Sequence, residues 1–306
     1  YLARAGVPVV EVDRPNRQTR HRHGKSDPVD AVAAARAALS GQATGLPKTR
    51  DGNVEAIRVL MIARRSAIDT RIETLNQLRH VVFTATPQLR AKFTGLTAIA
   101  VANKAAALKP RLSDPDPVRY ATLVTIRTLG RRIQYLREEV KAINRLLRPL
   151  IRQTAPGLLE VYGVGFTTAA KLLVAVGDNP QRIRSEAAFA HLCGVAPIPA
   201  SSGKTIRHRL NRGGNRQANS ALYHIVLTRM KHHQPTRDCM ARRLAEGKTM
   251  GEIARILKTL RRPRSLQTPP PTHLNPPRSG PDPIEPAHGR NIGRVAAARK
   301  LLTLVY

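Results

Sequence analysis

The sequence predicts a mostly α-helical fold with a small α/β piece at its amino-terminal end. The run from Gly6 to Val12 is short and rich in β-branched residues, which is typical of one buried strand. Farther along, two long stretches place apolar residues at steps of three and four, the period of a helix face. Prolines then crowd the stretch from Pro263 to Pro286, where neither helix nor sheet can persist.

The amino-terminal strand needs sheet partners, because a single strand is not stable alone. We expect those partners before Tyr1, and a chain that begins with Tyr rather than Met is expected to be a fragment or an unstarted reading frame. An acid-free basic loop follows from Arg14 to Lys25. Next, an Ala-rich stretch runs from Pro28 to Leu39 and stops at Gly41, so the sequence predicts a helix there.

Asp27 and Asp30 begin this helix and allow two interpretations. Two carboxylates three residues apart share a helix face, where they can hold a divalent metal for phosphoryl transfer. Alternatively, Asp27 is the N-cap and Asp30 is an acid of the first turn that favours the helix dipole. The two roles are compatible, since a capping residue can also orient a ligand.

Two apolar stripes predict two long helices on either side of a connection that contains Pro110, Pro115 and Pro117. We expect an antiparallel helical hairpin that serves as an arm or a dimerisation element, or else two ordinary helices of one bundle. The first stripe consists of Ile68, Ile72, Leu75, Leu78 and Val82. The second consists of Leu123, Ile126, Leu129, Ile133, Leu136, Val140, Ile143, Leu146 and Leu150.

The charge of the chain predicts a polyanionic partner. Lys and Arg number 52 against 20 Asp and Glu, a net charge of +32. No apolar run approaches a spanning helix and no signal peptide is evident, so we expect nucleic acid in the cytoplasm, associated with the nucleoid, rather than a membrane. Aromatic residues make up 3% of the chain and Trp is absent, which favours phosphate contacts to duplex DNA or folded RNA.

Residues 158–173 contain the most specific local motif, a Gly163-Val164-Gly165 turn between two short apolar stretches. This pattern resembles a helix-hairpin-helix, in which the free N–H groups of the second helix hold a DNA phosphate. Lys171 in that second helix strengthens the prediction. The alternative is a turn between two helices that only packs.

Residues 187–237 contain no Asp or Glu, and their cations predict a phosphate-binding loop or, alternatively, a solvated surface loop. Ser202 precedes Gly203 in this stretch and is a candidate nucleophile, although the residues alone show no partner that would activate it. Cys193 and Cys239 have no metal-ligand spacing, so neither a zinc site nor a disulfide is expected. The candidate phosphate ligands are Lys204, Arg207, Arg209, Arg212 and Arg216.

Taken in order, these motifs resemble the insertion-sequence transposases of family one hundred and ten, the DEDD transposases also described as bridge-RNA-guided recombinases. The resemblance covers about residues 1–260. Its motifs are the early strand with Arg14-Pro15, the segment 25–31, the long hairpin, residues 161–173, Gly194-Val195-Ala196-Pro197, Ser202-Gly203 and the basic helix.

The resemblance implies a RuvC-like domain with four acidic metal ligands and a transposase domain with a catalytic serine. Asp27 and Asp30 match the third and fourth acids, and Ser202 matches the serine. It also implies Mg²⁺, cutting and rejoining of element DNA through a serine-linked intermediate, a structured guide RNA, and a homo-oligomer, a dimer or tetramer. The first two acids would precede Tyr1, so the reaction is expected to be incomplete in this chain.

Four segments are therefore expected. Residues 1–50 would be the remnant of the RuvC-like domain, 51–153 the helical hairpin, 154–260 the transposase domain, and 261–306 a disordered Pro-rich tail. The competing hypothesis is a basic nucleic-acid-binding protein, or a transposase remnant, that has no catalytic activity.

Overall fold

A computed structural model describes residues 5–12, 26–202, 208–209, 211 and 213–258 of the chain. The predicted basic loop 14–25 and the Pro-rich tail lie outside these residues. Two compact units form: one from the described residues up to Val54 together with those from Ala155 onward, the other from Glu55–Thr154. The helices are α1 (Asp27–Leu39), α2 (Asn53–Thr84), α3 (Pro87–Ala91), α4 (Ala98–Ala106), α5 (Pro117–Thr154), α6 (Pro156–Glu160), α7 (Phe166–Val176), α8 (Glu186–Leu192), α9 (Arg216–His232), α10 (Gln234–Ala245) and α11 (Met250–Lys258).

The prediction of a mostly helical fold is confirmed, but the predicted buried strand from Gly6 to Val12 is wrong. Val7, Val9 and Val10 are exposed, and Glu11 makes one isolated bridge to Gly45 through an N–H···O bond of 2.7 Å. A strand is stabilised by a ladder of hydrogen bonds to a neighbouring strand, and one bridge supplies too little of it. Within the described residues, the strands are β1 (Ile198–Pro199) and β2 (His208–Arg209), which pair antiparallel.

Helix α1 forms as predicted, with one correction at its start. The helix begins at Asp27 itself, so the N-cap position belongs to Ser26 and the prediction that Asp27 is the N-cap is wrong. The Ser26 side chain makes no capping hydrogen bond. Pro28 lies in the first turn, which tolerates a residue without an N–H group, and Gly41 follows the helix end with φ of 70°.

The unit Glu55–Thr154 is built on α2 and α5, which run antiparallel. The Arg64 Nε–H donates to Asn144 Oδ1 at 2.8 Å near one end of the pair. Ala67 packs with Leu136 and Val140 farther along. A second apolar cluster lies farther along the pair, where later residues of α2 contact earlier residues of α5, as antiparallel helices require. The cluster consists of Leu78, Val82, Phe93, Val101, Ala102, Ala105, Ile126 and Ile133.

Helix α4 crosses α5 at Gly130, where the two backbones come unusually close. A Cβ on Gly130 would meet the Ala106 backbone N at 2.6 Å and the Ala105 Cβ at 2.7 Å. Only glycine permits this approach without a shift of one helix. Near its end, α5 buries Leu147 and Ile151, whereas Leu146 is exposed. The buried positions are therefore each one residue later than the apolar stripe predicted.

The other unit has its core around α7 and α9. Helix α7 is apolar on nearly all sides and buries Ala169, Ala170, Leu172 and Leu173. Helix α9 covers it with one apolar face, and α10 and α11 pack against α9 in turn. Val226 and Met230 of α9 form a small cluster with Ile253 and Ala254 of α11. This core supports the β1–β2 ribbon and the turns that carry the candidate functional residues.

Candidate nucleic-acid interface

Ser202 lies in the connection between β1 and β2, three residues beyond Pro199, and it is exposed. The two strands pair Ile198 with Arg209 and Pro199 with His208. Ser201 beside it is also exposed. A serine in this position is accessible to a large substrate, as a DNA strand would be. The neighbouring candidates Lys204, Arg207 and Arg212 lie outside the described residues.

The base of this ribbon is fixed by two glycine-containing turns that are distant in the sequence. A Cβ on Gly214 would meet the Gly194 N at 2.2 Å and its Cα at 2.3 Å, so the two backbones are in direct contact. The Asn215 N–H donates to Leu192 O at 2.6 Å. The fold thus joins the Gly194–Pro197 motif to the 211–216 motif, and Ser202 lies on the chain between them.

Two asparagines connect the Gly194–Gly214 contact to α9 through side-chain hydrogen bonds. Asn215 is the N-cap of α9, and its side-chain oxygen accepts hydrogen bonds from Gln217 N and Ala218 N at 3.0 Å. Asn219 Nδ2 donates to Cys193 O at 3.0 Å and to Gly194 O at 3.1 Å. Because both residues bond backbone groups, the ribbon starts from a rigid base. Arg209 and Arg216 are exposed on either side of this junction.

The Gly163-Val164-Gly165 turn connects α6 to α7, and its two glycines have different surroundings. Gly163 has φ of 84° and faces α9, where a Cβ would meet Ile225 O at 3.1 Å. Arg229 Nε–H donates to the Tyr162 carbonyl oxygen at 2.9 Å and ties the turn to α9. Gly165 is exposed, and a Cβ there would meet nothing within 4 Å. The turn therefore packs on one side and is open on the other.

The open side of that turn is the amino-terminal end of α7. Gly165 is the N-cap residue, and Thr168 Oγ1 accepts the Gly165 N–H at 2.9 Å. Lys171 follows one turn later and is half-buried. A helix amino terminus next to a residue without a side chain lets a phosphate come close to backbone N–H groups.

Asp27 and Asp30 lie on the first turn of α1, where their spacing places them on one helix face. Asp27 is exposed and Asp30 is half-buried. Across the part of the chain that the structure describes, no three His, Cys, Asp or Glu side chains gather closely enough to hold a metal ion. Two carboxylates still suit Mg²⁺, which proteins bind through one or two carboxylates with water and substrate phosphates completing the shell.

Burial excludes Cys193 as a nucleophile. Its side chain is fully buried beneath the Gly194 turn, and this desolvation raises the pKa of the thiol to about 12. The reactive form of cysteine is the thiolate, which such a site does not support at neutral pH. The exposed Ser202 stays the predicted nucleophile.

A set of long-range polar contacts fastens the segment before α2 to the end of α7. Lys48 Nζ donates to Val174 O at 2.6 Å, and Asn179 Nδ2 donates to Pro47 O at 2.9 Å. Arg182 donates to Leu46 O and forms an ion pair with Glu11. These contacts hold the segment that follows α1. Helix α1, with Asp27 and Asp30, belongs to the same compact unit as Ser202. Sequence patterns gave no sign of these contacts.

A cleft opens between α9, α11 and the Gly194–Pro197 turn, with a volume of about 1160 Å³. Lys258 Nζ donates to Asn219 Oδ1 at 3.2 Å and lies 4.8 Å from the ring centre of Tyr223. These three residues were missed by the sequence analysis. The spacing of Asn219 and Tyr223, four apart on one helix face, is the signal that could have pointed to those two.

Both family models that match this chain describe transposases. Residues 155–240 match the model described as the transposase IS116/IS110/IS902 family, and residues 1–87 match the transposase model of the DEDD type from IS110 elements. The chain belongs to the IS110 family of insertion-sequence transposases. The resemblance stated from the motifs is thereby confirmed.

One curated relative is the Insertion element IS110 uncharacterized 43.6 kDa protein of Streptomyces coelicolor, to which this chain is 32% identical over 129 residues. The matched stretch covers 41% of this chain and 32% of the relative, so the chain spans about a third of that protein's length. As for membranes, none of the described helices combines the length and the apolar character needed to cross one.

Proposed function

We propose that this chain carries the serine-dependent strand-transfer part of an insertion-sequence transposase, with DNA as its substrate and a structured RNA as its guide. One observation carries the proposal: Ser202 is exposed in the connection of a ribbon whose base is fixed by the Gly194–Gly214 contact. A nucleophile on a rigid base keeps its geometry while the substrate comes to it.

The proposed reaction exchanges one phosphodiester for another. The Ser202 Oγ attacks the phosphorus of a DNA strand, loses its proton, and forms an Oγ–P bond while the bond from phosphorus to one deoxyribose oxygen breaks. That oxygen leaves as a hydroxyl group once it takes up a proton. Attack by a hydroxyl of a second strand on the serine-linked phosphorus then reverses these steps and joins the new strands, so no external energy source is needed.

Asp27 and Asp30 would hold Mg²⁺ in this scheme. A bound divalent cation supplies positive charge that stabilises the negative charge developing on the phosphoryl oxygens. The carboxylates themselves orient the site from the first turn of α1, and Asp27 reaches solvent. Further ligands would come from residues outside the described part of the chain or from the two additional acids that the family resemblance implies.

The proposed grip on nucleic acid uses backbone and cationic contacts. The open amino-terminal end of α7 at Gly165 receives one phosphate, with Lys171 six residues farther along the chain. Arg209 and Arg216 lie beside the ribbon, and Lys204, Arg207 and Arg212 belong to the same acid-free stretch. These contacts fix the position of a strand without reading its sequence, so the sequence information is assigned to the guide RNA.

The helical unit is proposed to form the homo-oligomer, a dimer or tetramer. Val124, Tyr135 and Leu146 recur every eleven residues along α5, an interval close to three helical turns, and each is exposed. An apolar row of this kind on a 38-residue helix suits a second long helix. This supports an assembly through α5, while the number of subunits follows from the family resemblance alone.

A strand-joining assay tests the function. The chain is fused behind a RuvC-like segment that supplies the first two acids, and joining of element-end DNA is measured with guide RNA and Mg²⁺. We expect Ser202→Ala to reduce joining at least 1000-fold, because the nucleophile is lost, while DNA affinity stays within about twofold. Ser201→Ala is the matched control and should join normally. Equal joining by Ser202→Ala and the unmodified protein would contradict the proposal.

A further inference from the structure

The cleft beside the Ser202 ribbon has the chemistry of a nucleotide-binding site. Its walls come from α9, the turn before β1, Arg209 and Asn211 at the end of the ribbon, and the segment that leads into and includes α11. A volume of about 1160 Å³ is ample for one nucleotide, since small-molecule sites typically occupy roughly 300–1000 Å³. The residues that carry the argument are Arg209, Tyr223, Leu227, Lys248, Arg255 and Lys258.

The charges around the cleft favour an anionic occupant. Among the described residues that line it, four are Lys or Arg and Glu252 is the single acid. The Glu252 carboxylate is already engaged, because it accepts hydrogen bonds from Thr249 N at 2.9 Å and from Thr249 Oγ1 at 2.8 Å at the start of its own helix. Four cations against one carboxylate leave the described lining with a net positive charge.

Lys258 is held over the cleft rather than extended into water. Its ammonium group donates to Asn219 Oδ1 at 3.2 Å and lies over the Tyr223 ring, and burial, with Arg255 nearby, lowers its pKa. Asn219 is itself fixed to Cys193 O and Gly194 O. One hydrogen bond leaves the other ammonium protons available to an anion. The cation is thus oriented before any ligand arrives.

The floor of the cleft is apolar and includes an aromatic ring. Tyr223 is 41% exposed and Leu227, one helical turn later, is 44% exposed. Met230 and Ala254 continue the same surface into a small apolar cluster. A flat, partly exposed surface of this kind suits the face of an unpaired base, which loses water contact when it packs there.

The position of the cleft links it to the ribbon. Pro197 lines the cleft and Ile198, the next residue, begins β1, while Arg209 of β2 also lines it. Ser202 is three residues beyond Pro199, which at about 3.3 Å per residue is within ~10 Å of the end of the paired strands. One or two nucleotides can span such a distance.

We propose that the cleft binds one unpaired nucleotide of the strand that reaches Ser202, with its base against Tyr223 and Leu227 and its phosphate against Lys258 and Arg209. This inference rests on the proposed function, since it concerns the same strand. It assigns to the cleft the task of holding that strand open beside the nucleophile. A base within an intact duplex is covered by its stacked neighbours and cannot use the apolar floor, so the cleft favours single-stranded nucleic acid.

Binding by the 306-residue chain to three probes of one sequence tests this assignment: a 12-nucleotide single-stranded DNA, the same single-stranded RNA, and the DNA duplex. We expect Tyr223→Ala to weaken binding to the single strands about tenfold, because base stacking is lost, and to leave duplex affinity within about twofold. Tyr223→Phe should restore tight single-strand binding. The control is Phe83→Ala, which removes an exposed aromatic residue of α2 outside both the cleft and the proposed assembly surface.

A second readout separates the phosphate contact from stacking. Lys258→Gln should lower the slope of log affinity against log salt by about one for the single strands, whereas Tyr223→Ala should leave that slope unchanged. Comparison of the DNA and RNA probes identifies which strand the cleft prefers. If Tyr223→Ala and Phe83→Ala behave alike on all three probes while duplex binding persists, the cleft assignment is overturned and the proposed function stands. Failure of the unmodified chain to bind any probe would overturn the proposed function as well.

Discussion

At the scale of single residues, glycines 194 and 214 decide where Ser202 lies. Gly194 has φ of 64°, a conformation that residues with a Cβ rarely adopt, and Gly214 approaches it so closely that no side chain fits between them. The sequence drew attention to both motifs as glycine-containing loops near a basic segment. That they touch depends on the packing of α8 against the start of α9, which no local pattern encodes.

Substitution of Gly214 tests this contact. We expect Gly214→Ala to destabilise the protein by about 1–3 kcal/mol, because the new methyl group must push the Gly194 backbone away. Strand joining in the fused protein should fall further than stability alone explains, since the base of the ribbon moves. Thermal or urea unfolding gives the first quantity and the joining assay the second.

Gly213→Ala is the control for that experiment. A Cβ on Gly213 would meet only Asn211 Oδ1, at 3.4 Å, which is ordinary contact. We expect its stability to stay within about 0.5 kcal/mol of the unmodified protein. A Gly214→Ala protein as stable and active as Gly213→Ala would show that the contact is unimportant.

The acids of α1 show how far residue-level prediction reached. The sequence correctly identified a helix that starts near Asp27 and Asp30, yet it assigned the N-cap one position too late. Ser26 and Asp27, the residue before Pro28, both have capping character, so composition alone does not choose between them. The metal-binding role of these acids stays a prediction, because two carboxylates on one turn are compatible with several functions.

At the scale of secondary-structure elements, periodicity predicted the helices well. The two apolar stripes became α2 and α5, and Ile126, Ile133, Leu136 and Val140 are buried as the stripe requires. The last two turns differ, because Leu147 and Ile151 face inward instead of Leu146 and Leu150. All four are apolar, so the pattern was ambiguous there and packing decided which pair is buried.

The prediction of a strand from Gly6 to Val12 was wrong for a different physical reason. A run of valines meets the local preference for extended structure, but a strand also requires a partner, and among the described residues Glu11 makes a single bridge, to Gly45. A strand partner comes from another segment, so a local pattern does not reveal whether it is present. Helices are easier to predict, because their hydrogen bonds stay within one segment.

Asp178 is an element-scale anchor, since it caps the start of α2 from a position 124 residues away. Its Oδ1 accepts the Val54 N–H at 2.7 Å, and Gly52 comes so close that a Cβ there would meet that oxygen at 2.4 Å. We expect Asp178→Ala to destabilise the protein by about 1 kcal/mol, because the first turn of α2 loses its acceptor. Equilibrium unfolding in urea measures the change.

Asp178→Asn is the conservative partner of that variant. Its amide oxygen can still accept the Val54 N–H, so most of the stability should return. A destabilisation of Asp178→Asn equal to that of Asp178→Ala would mean that charge, rather than the hydrogen bond, holds the segment. No effect in either variant would contradict the anchoring role.

At the scale of the whole molecule, composition and the order of motifs predicted the most. A net charge of +32 indicated a polyanionic partner, and the ordered motifs indicated a family that two family models then confirmed. The association of the residues up to Val54 with those from Ala155 onward was not predictable in this way. It depends on single polar contacts such as Lys48–Val174 and Asn179–Pro47, which leave no periodic trace.

The proposal that Ser202 forms a covalent link to DNA is the central claim, and mapping of a trapped adduct tests it most directly. The fused protein is incubated with guide RNA, Mg²⁺ and a nicked element-end DNA that loses its short strand on cleavage, so that rejoining is blocked. The adduct is digested and sequenced by mass spectrometry. The account predicts a nucleotide phosphate on Ser202, absent in Ser202→Ala and dependent on Mg²⁺. A phosphate on Ser201 or any other residue, or cleavage without an adduct, would contradict it.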